Sequence, residues 1–105
     1  MSDIIARVEG VIRERKEASA ESSYVASLFA KGEDKILSKV GEEAVEVILA
    51  SKEGDEVHLV KEVADLLFHT LVLLGHKEIP FEMVEAELEA RFGVSGIVEK
   101  NSRKG

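Results

Sequence analysis

The sequence predicts an all-α fold. It is a bundle of about five helices in which two long antiparallel helices carry the chemistry and dimerisation completes the packing. Three observations lead there. Apolar residues recur at spacings of three and four, the helical period, and no stretch alternates as a half-buried strand would. The single proline among 105 residues, Pro80, stands where a helix can begin. Between the periodic stretches lie only short polar or glycine-bearing connections.

Each element has its own signal. Ser2 and Asp3 can cap a first helix carrying Ile4, Ile5, Val8, Val11 and Ile12. Residues 18–23 are small and polar and read as a connection. Tyr24, Val25, Leu28 and Phe29 make a short second helix, stopped near Gly32. A third helix runs from Glu33 to about Lys52, with Ile36, Leu37, Val40, Ala44, Val47 and Ile48 on its apolar face. Gly54-Asp55 is a turn. The fourth helix runs from about Glu56 to Leu74 and ends at Gly75. Pro80 opens a fifth, with Phe81, Val84 and Leu88 inward and Gly93 as its stop. Residues 93–105 read as a loose polar tail, anchored only by Ile97 and Val98. The whole is expected to be a single domain, 1–105. The short turn at Gly54 makes the third and fourth helices antiparallel neighbours. The fourth is apolar over more than half its circumference, more than a helix wet on one side needs. That points to the centre of a homodimer; a central helix within one subunit is the alternative.

Composition removes several function classes. Lys and Arg number 14 against 21 Asp and Glu, a net charge of −7, so a nucleic-acid coat is not expected. The absence of cysteine excludes disulfides, thiol catalysis, cysteine-bound zinc and iron–sulfur clusters, and it fits a reducing compartment. The most apolar run, Leu66 to Leu74, is nine residues and contains His69, where a membrane span needs about 20. No signal peptide is visible. The expected location is the cytoplasm, with no membrane partner.

On the third helix the polar residues cluster. At about 100° per residue, Lys35, Lys39, Glu42, Glu43 and Glu46 share one sector. Glu43 and Glu46 stand at i, i+3 and Glu42 and Glu46 at i, i+4, so their side chains are neighbours and repel unless a cation intervenes. A solvated face softened by a Lys39–Glu43 pair is the plain alternative. The fourth helix tips the balance. His58, Glu62, Asp65 and His69 form one narrow stripe at i, i+4, i+7 and i+11, flanked by Leu66, Val72 and Leu73. Asp65 is expected to lose hydration there, which demands a positive partner, a hydrogen-bonding network or a metal. Antiparallel pairing brings Glu43-x-x-Glu46 towards Glu62-x-x-Asp65. Carboxylate oxygens without sulfur select a hard cation, Mg²⁺ or Mn²⁺. Mg²⁺ completes its shell with phosphates, so an acidic protein can bind a polyanion. Lys35 and Lys39 stand two turns and one turn ahead of the acids and can meet phosphate oxygens.

The block Lys39-Val40-Gly41-Glu42-Glu43-Ala44-Val45-Glu46-Val47-Ile48, followed by Glu62-Val63-Ala64-Asp65-Leu66-Leu67-Phe68-His69, resembles the phosphoribosyl-ATP pyrophosphohydrolase family of histidine biosynthesis. That family sits among the all-α nucleoside triphosphate pyrophosphohydrolases, with their E-E-x-x-E and E-x-x-D metal signature. Ser23-Tyr24, Leu28-Phe29, Gly32 to Leu37, Leu71 to Leu74, Glu87 to Phe92 and Ser95-Gly96-Ile97 extend the resemblance over roughly residues 22–100. The resemblance implies a homodimeric, Mg²⁺-dependent enzyme that hydrolyses phosphoribosyl-ATP to phosphoribosyl-AMP and pyrophosphate. Carried over by position, Glu43, Glu46, Glu62 and Asp65 are its metal ligands, Glu43 also serving catalysis. Lys35 and Lys39 hold phosphates. Glu42 is a further ligand or the group that orients the attacking water. Where the family often has two basic residues before Val-Gly-Glu-Glu, this chain has Ser38-Lys39, one positive charge fewer. A cysteine-ligated zinc cyclohydrolase often fused to the family is not expected in a chain of this length without cysteine.

Residues near the stripes have plainer readings too. His69 reads as a buried histidine satisfied by backbone, or as a partner of Asp65. His58 reads as surface. Tyr24 reads as core, with the mouth of the site as the alternative. Arg91 with Glu87 and Glu89 reads as a surface charge set. Two rival functions stand beside the main one. A house-cleaning pyrophosphohydrolase of other nucleoside triphosphates would keep the same carboxylates and differ over Lys35–Gly41 and the Tyr24 helix. A non-catalytic helical dimer would not need Asp65 with the Glu43/Glu46 pair.

Overall fold

The computed structural model describes residues 3–93, which form five helices: α1 (Ile4–Lys16), α2 (Tyr24–Lys31), α3 (Glu33–Glu53), α4 (Glu56–His76) and α5 (Phe81–Phe92). The described residues contain no strand. The residue 94–105 part of the expected tail, and the cap assigned to Ser2, lie outside the described residues.

Local chemistry sets the helix ends. Ser23 caps α2, its hydroxyl accepting from the Ala26 amide at 3.0 Å. Asp55 caps α4 in the same way through the His58 amide at 3.1 Å. Gly54 takes the left-handed conformation between them, φ 78°, which lets α3 stop and the chain reverse within two residues. Asp3 does not cap α1 through its side chain; its carboxylate pairs with Arg7 at 3.4 Å instead.

α3 and α4 form an antiparallel hairpin 21 residues long on each side. Its open end is tied by Glu33, which meets Lys77 Nζ at 2.7 Å and His76 Nε2 at 3.4 Å. α1 and α2 pack across that open end only. The core lies there: Ile12 from α1, Val25 and Leu28 from α2, Ile36 from α3, and Leu71 and Val72 from α4. Each such buried side chain contributes roughly 1.5–3 kcal/mol of transfer free energy. Towards the turn, Ala50 is the one buried residue of α3 beyond Ile36.

Helix α4 does not end at Gly75 as expected but one residue later. Gly75 serves packing: a methyl group there would meet Ile12 Cγ2 at 3.0 Å and Phe29 Cζ at 3.6 Å. Lys16 of α1 donates to the Gly75 carbonyl at 3.0 Å. The stop comes from Glu78 in the left-handed conformation, φ 59°, with Ile79 N–H on Leu74 O (2.9 Å) and Glu78 N–H on Gly75 O (3.2 Å), a Schellman arrangement.

Two further expectations fail on burial. Leu37 and Ile48 are 44% and 61% exposed, because α3 turns towards α4 the sector of Ile36, Val47 and Ala50 rather than the middle of its apolar arc. Leu88 is half exposed. α5 rests on α1 through its first turn, where Phe81 N–H donates to Glu9 Oε2 at 2.7 Å; no residue of α5 is fully buried. The apolar excess of α4 is real: Val57, Val60, Val63 and Leu67 are all exposed in the single chain, beside Val45, Ile48 and Leu49 of α3.

Candidate metal centre

Because α3 presents the Ile36–Ala50 sector to α4, Glu43 in the middle of that sector points into the seam, not into solvent. Its side chain is 13% exposed. From α4, Glu62 and Asp65 stand at i, i+3 and face it. One carboxylate oxygen from each of Glu43, Glu62 and Asp65 lies within 4.8 Å of the other two. A shallow groove of about 510 Å³ runs over this triad, lined also by Lys39, Glu42, Val45 and Glu46.

Glu43 Oε2 is buried and has no hydrogen-bond partner among the described residues. Burial first, then the neighbouring Glu62 and Asp65, push the Glu43 carboxyl above the ordinary glutamate range. A buried oxygen without a donor costs about 1–3 kcal/mol, and three converging carboxylates add repulsion. The donor set is all oxygen and anionic, the set a hard divalent cation takes. These residues therefore fit a metal ion on chemical grounds.

The surrounding side chains hold the triad in place. Lys39 reaches Glu42 at 3.3 Å and Glu43 at 3.8 Å, the second being the pair named in the solvated-face alternative. Burial works against the Lys39 charge, but the bond to Glu42 and the nearby Tyr24 and Glu43 outweigh it and hold the ammonium above the usual lysine range. Glu42 is exposed and accepts from Ser38 Oγ at 3.0 Å as well as from Lys39. Those two bonds, with Lys35 nearby, keep Glu42 below the usual carboxylate range.

Several expectations change here. Glu43, not Asp65, is the desolvated carboxylate; Asp65 is exposed at the groove edge, whereas Val72, two turns further along the same face, is buried in the core at the end covered by α1 and α2. Glu46 is exposed and lines the groove but is not among the three converging carboxylates. Lys35 is exposed. His58 is no idle surface residue: Nε2 donates to Glu62 Oε2 at 3.0 Å and Nδ1 to Glu53 Oε1 at 2.7 Å. With a carboxylate on each nitrogen, Glu53 first and then Glu62, its imidazolium form is favoured. Ser38, read as a missing charge, orients Glu42. Tyr24 is half exposed rather than core. His69 is buried and bonds backbone, Nδ1 to the Asp65 carbonyl at 2.8 Å, as the plainer reading had it. Arg91 pairs with Glu87 at 2.7 Å on the surface of α5.

The family model described as phosphoribosyl-ATP pyrophosphohydrolase matches residues 5–92. The chain belongs to the phosphoribosyl-ATP pyrophosphohydrolase family. Curated relatives carry the name phosphoribosyl-ATP pyrophosphatase. One from Geobacter metallireducens is 60% identical over 96% of this chain and 93% of its own length. One from Geobacter sulfurreducens is 61% identical over 96% of this chain and 94% of its own. A third, from Chromobacterium violaceum, is 54% identical over 97% and 94%. No helix among the described residues is long and apolar enough to cross a membrane.

Proposed function

We infer that this family member hydrolyses phosphoribosyl-ATP to phosphoribosyl-AMP and pyrophosphate, the second step of histidine biosynthesis, as a cytoplasmic Mg²⁺-dependent homodimer built from a single domain. The observation that carries the reading is the orphaned, buried Glu43 oxygen at the centre of an all-oxygen triad. Glu43, Glu62 and Asp65 hold Mg²⁺, or Mn²⁺ in its place, and Glu46 completes the set from the groove. Bound there, the cation supplies the positive charge that neutralises the triphosphate oxygens. Lys39, already leaning over the seam, and Lys35, exposed two turns before Glu42 on α3, hold phosphate oxygens. Water adds across the anhydride between the α and β phosphorus atoms. Glu42, kept ionised by Ser38 and Lys39, is exposed at the seam and orients that water; its low proton affinity suits orientation better than full proton abstraction. In the dimer, the exposed apolar residues of α3 and α4 face their copies.

The test is pyrophosphate release from phosphoribosyl-ATP with Mg²⁺, beside an EDTA control and Glu43→Gln. Release by the native chain that disappears in both controls supports the reaction and the site. Activity on other nucleoside triphosphates but not on this one would keep the site and reject the pathway. Silence on every nucleotide would reject catalysis.

A further inference from the structure

Tyr24 opens α2, the helix laid across the open end of the hairpin, and its placement is unusual for a core-capping aromatic. It is 50% exposed, yet its hydroxyl lies 2.7 Å from Nε2 of the buried His69. The hydrogen-bond network assigns the direction. His69 Nδ1 faces the Asp65 carbonyl at 2.8 Å, which can only accept, so Nδ1 carries the proton. In the neutral ring Nε2 is then an acceptor, and the tyrosine hydroxyl donates to it. The phenol is latched to the backbone of a residue whose carboxylate belongs to the triad.

The ring itself is backed on one side. It stacks on Phe68 with centroids 6.4 Å apart and planes 25° apart, and meets the edge of His69 at 83°. Its remaining surface is open. Phe29, Phe68 and Phe81 are partly buried against the core, and exposed Phe92 ends α5, on the α1 side of the fold. Tyr24 is therefore the one exposed aromatic ring near the site. Through His69 its hydroxyl is tied to the backbone of Asp65, which lines the groove, so the ring stands beside the acidic seam.

We propose that Tyr24 is a substrate-positioning residue: its latched ring is the platform on which the base of a bound nucleotide rests while the phosphates lie over the carboxylates. This rests on the reading of the seam as a nucleotide site. A latch is useful because an aromatic ring already fixed in place loses little freedom when a base stacks on it.

The experiment compares Tyr24→Leu, Tyr24→Phe, His69→Leu and His69→Gln with the native chain, using phosphoribosyl-ATP turnover and calorimetric binding of Mn²⁺–tripolyphosphate, a probe without a base. Tyr24→Leu should raise KM about tenfold with kcat within about threefold, and leave tripolyphosphate affinity unchanged. Tyr24→Phe and His69→Leu each remove the latch and should raise KM by the same smaller factor, with the double variant no worse. His69→Gln keeps an acceptor near the Nε2 position and should restore most of the native KM. If Tyr24→Leu melts too low to assay, the matched effects of Tyr24→Phe and His69→Leu carry the decision. A native KM in every variant, or equal weakening of nucleotide and tripolyphosphate, overturns the platform and leaves Tyr24 as a mere dock for α2. If the native chain turns over no phosphoribosyl-ATP, the functional reading fails separately. The platform is then judged by whether Tyr24→Leu weakens Mn²⁺–ATP relative to Mn²⁺–tripolyphosphate.

Discussion

Glu43 concentrates the energetics of the site in one side chain. It is a carboxylate the fold would be more stable without, retained at a place where a cation can compensate it. Glu43→Gln should therefore stabilise the metal-free protein by about 1 kcal/mol, by removing a buried charge without a donor. The same change should abolish the Mn²⁺-induced rise in melting temperature. A metal-free variant that melts lower than the native chain would contradict this. The pH dependence has a definite sign. Because its folded value is raised, the metal-free fold takes up a proton at Glu43 before the unfolded chain does. Stability from this residue falls as pH rises through the window between the ordinary glutamate range and the raised value. Metal affinity runs the other way, since a cation must displace that proton. Mn²⁺ titrations at mildly acidic and neutral pH should show tighter binding and less proton release at the higher pH. Glu42→Gln should lower kcat by about 10²-fold with metal affinity kept, whereas matched losses would make Glu42 a ligand. The carboxylates themselves were legible in the sequence, because i, i+3 spacing on two adjacent helices is a local pattern. Which one is buried was not: that depends on the rotation of α3 about its axis, fixed by Ile36 and Ala50 meeting distant partners.

At the scale of the helices, the ends of α4 explain how the site is held. Asp55 and Gly54 fix the turn from which Glu62 is about two helical turns away, and both were readable as turn chemistry. The other end was misread at Gly75, since glycine is used both to stop helices and to let them approach closely, and only the neighbour decides. Gly75→Ala should cost about 1–2 kcal/mol, because the new methyl group crowds Ile12, and thermal melting would register it. Glu78→Gly should do the reverse. It relieves a left-handed non-glycine residue at an exposed position and should add about 0.5–1 kcal/mol. The contrast between Gly75 and Glu78, three residues apart, is invisible without the packing.

At the scale of the whole molecule, exposed apolar side chains gather on the turn half of the hairpin: Val45, Ile48 and Leu49 of α3 and Val57, Val60, Val63 and Leu67 of α4. The radius of gyration is 16.5 Å, against about 13 Å for a compact chain of this length. Val57, Val60 and Leu67 of α4 and Ile48 of α3 should be covered by the same residues of a second copy. Ile48→Asp or Val60→Glu should shift the sedimentation mass from dimer to monomer, and the native melting temperature should rise with protein concentration. A monomer at every concentration in the native chain would defeat this. The fold class, the helix order and the antiparallel hairpin were legible because helical periodicity and turn residues are local. The outward faces of Leu37, Ile48 and Leu88 were not, because an apolar residue reads the same whether its own chain or another covers it.

The hairpin is anchored at one end only. Its open end is welded to α1 and α2, while towards the turn at Gly54 little of it is buried within the chain. Backbone amides should therefore exchange with deuterium along a gradient, slow near Ile36 and Val72 and fast beyond Val45 and before Leu67. Glu43, Glu62 and Asp65 straddle the middle of that gradient. A cation joining them would act as a clasp across the fraying half, so metal loading and subunit pairing should slow the same amides. Dilution and chelation would then loosen the same stretch of the molecule.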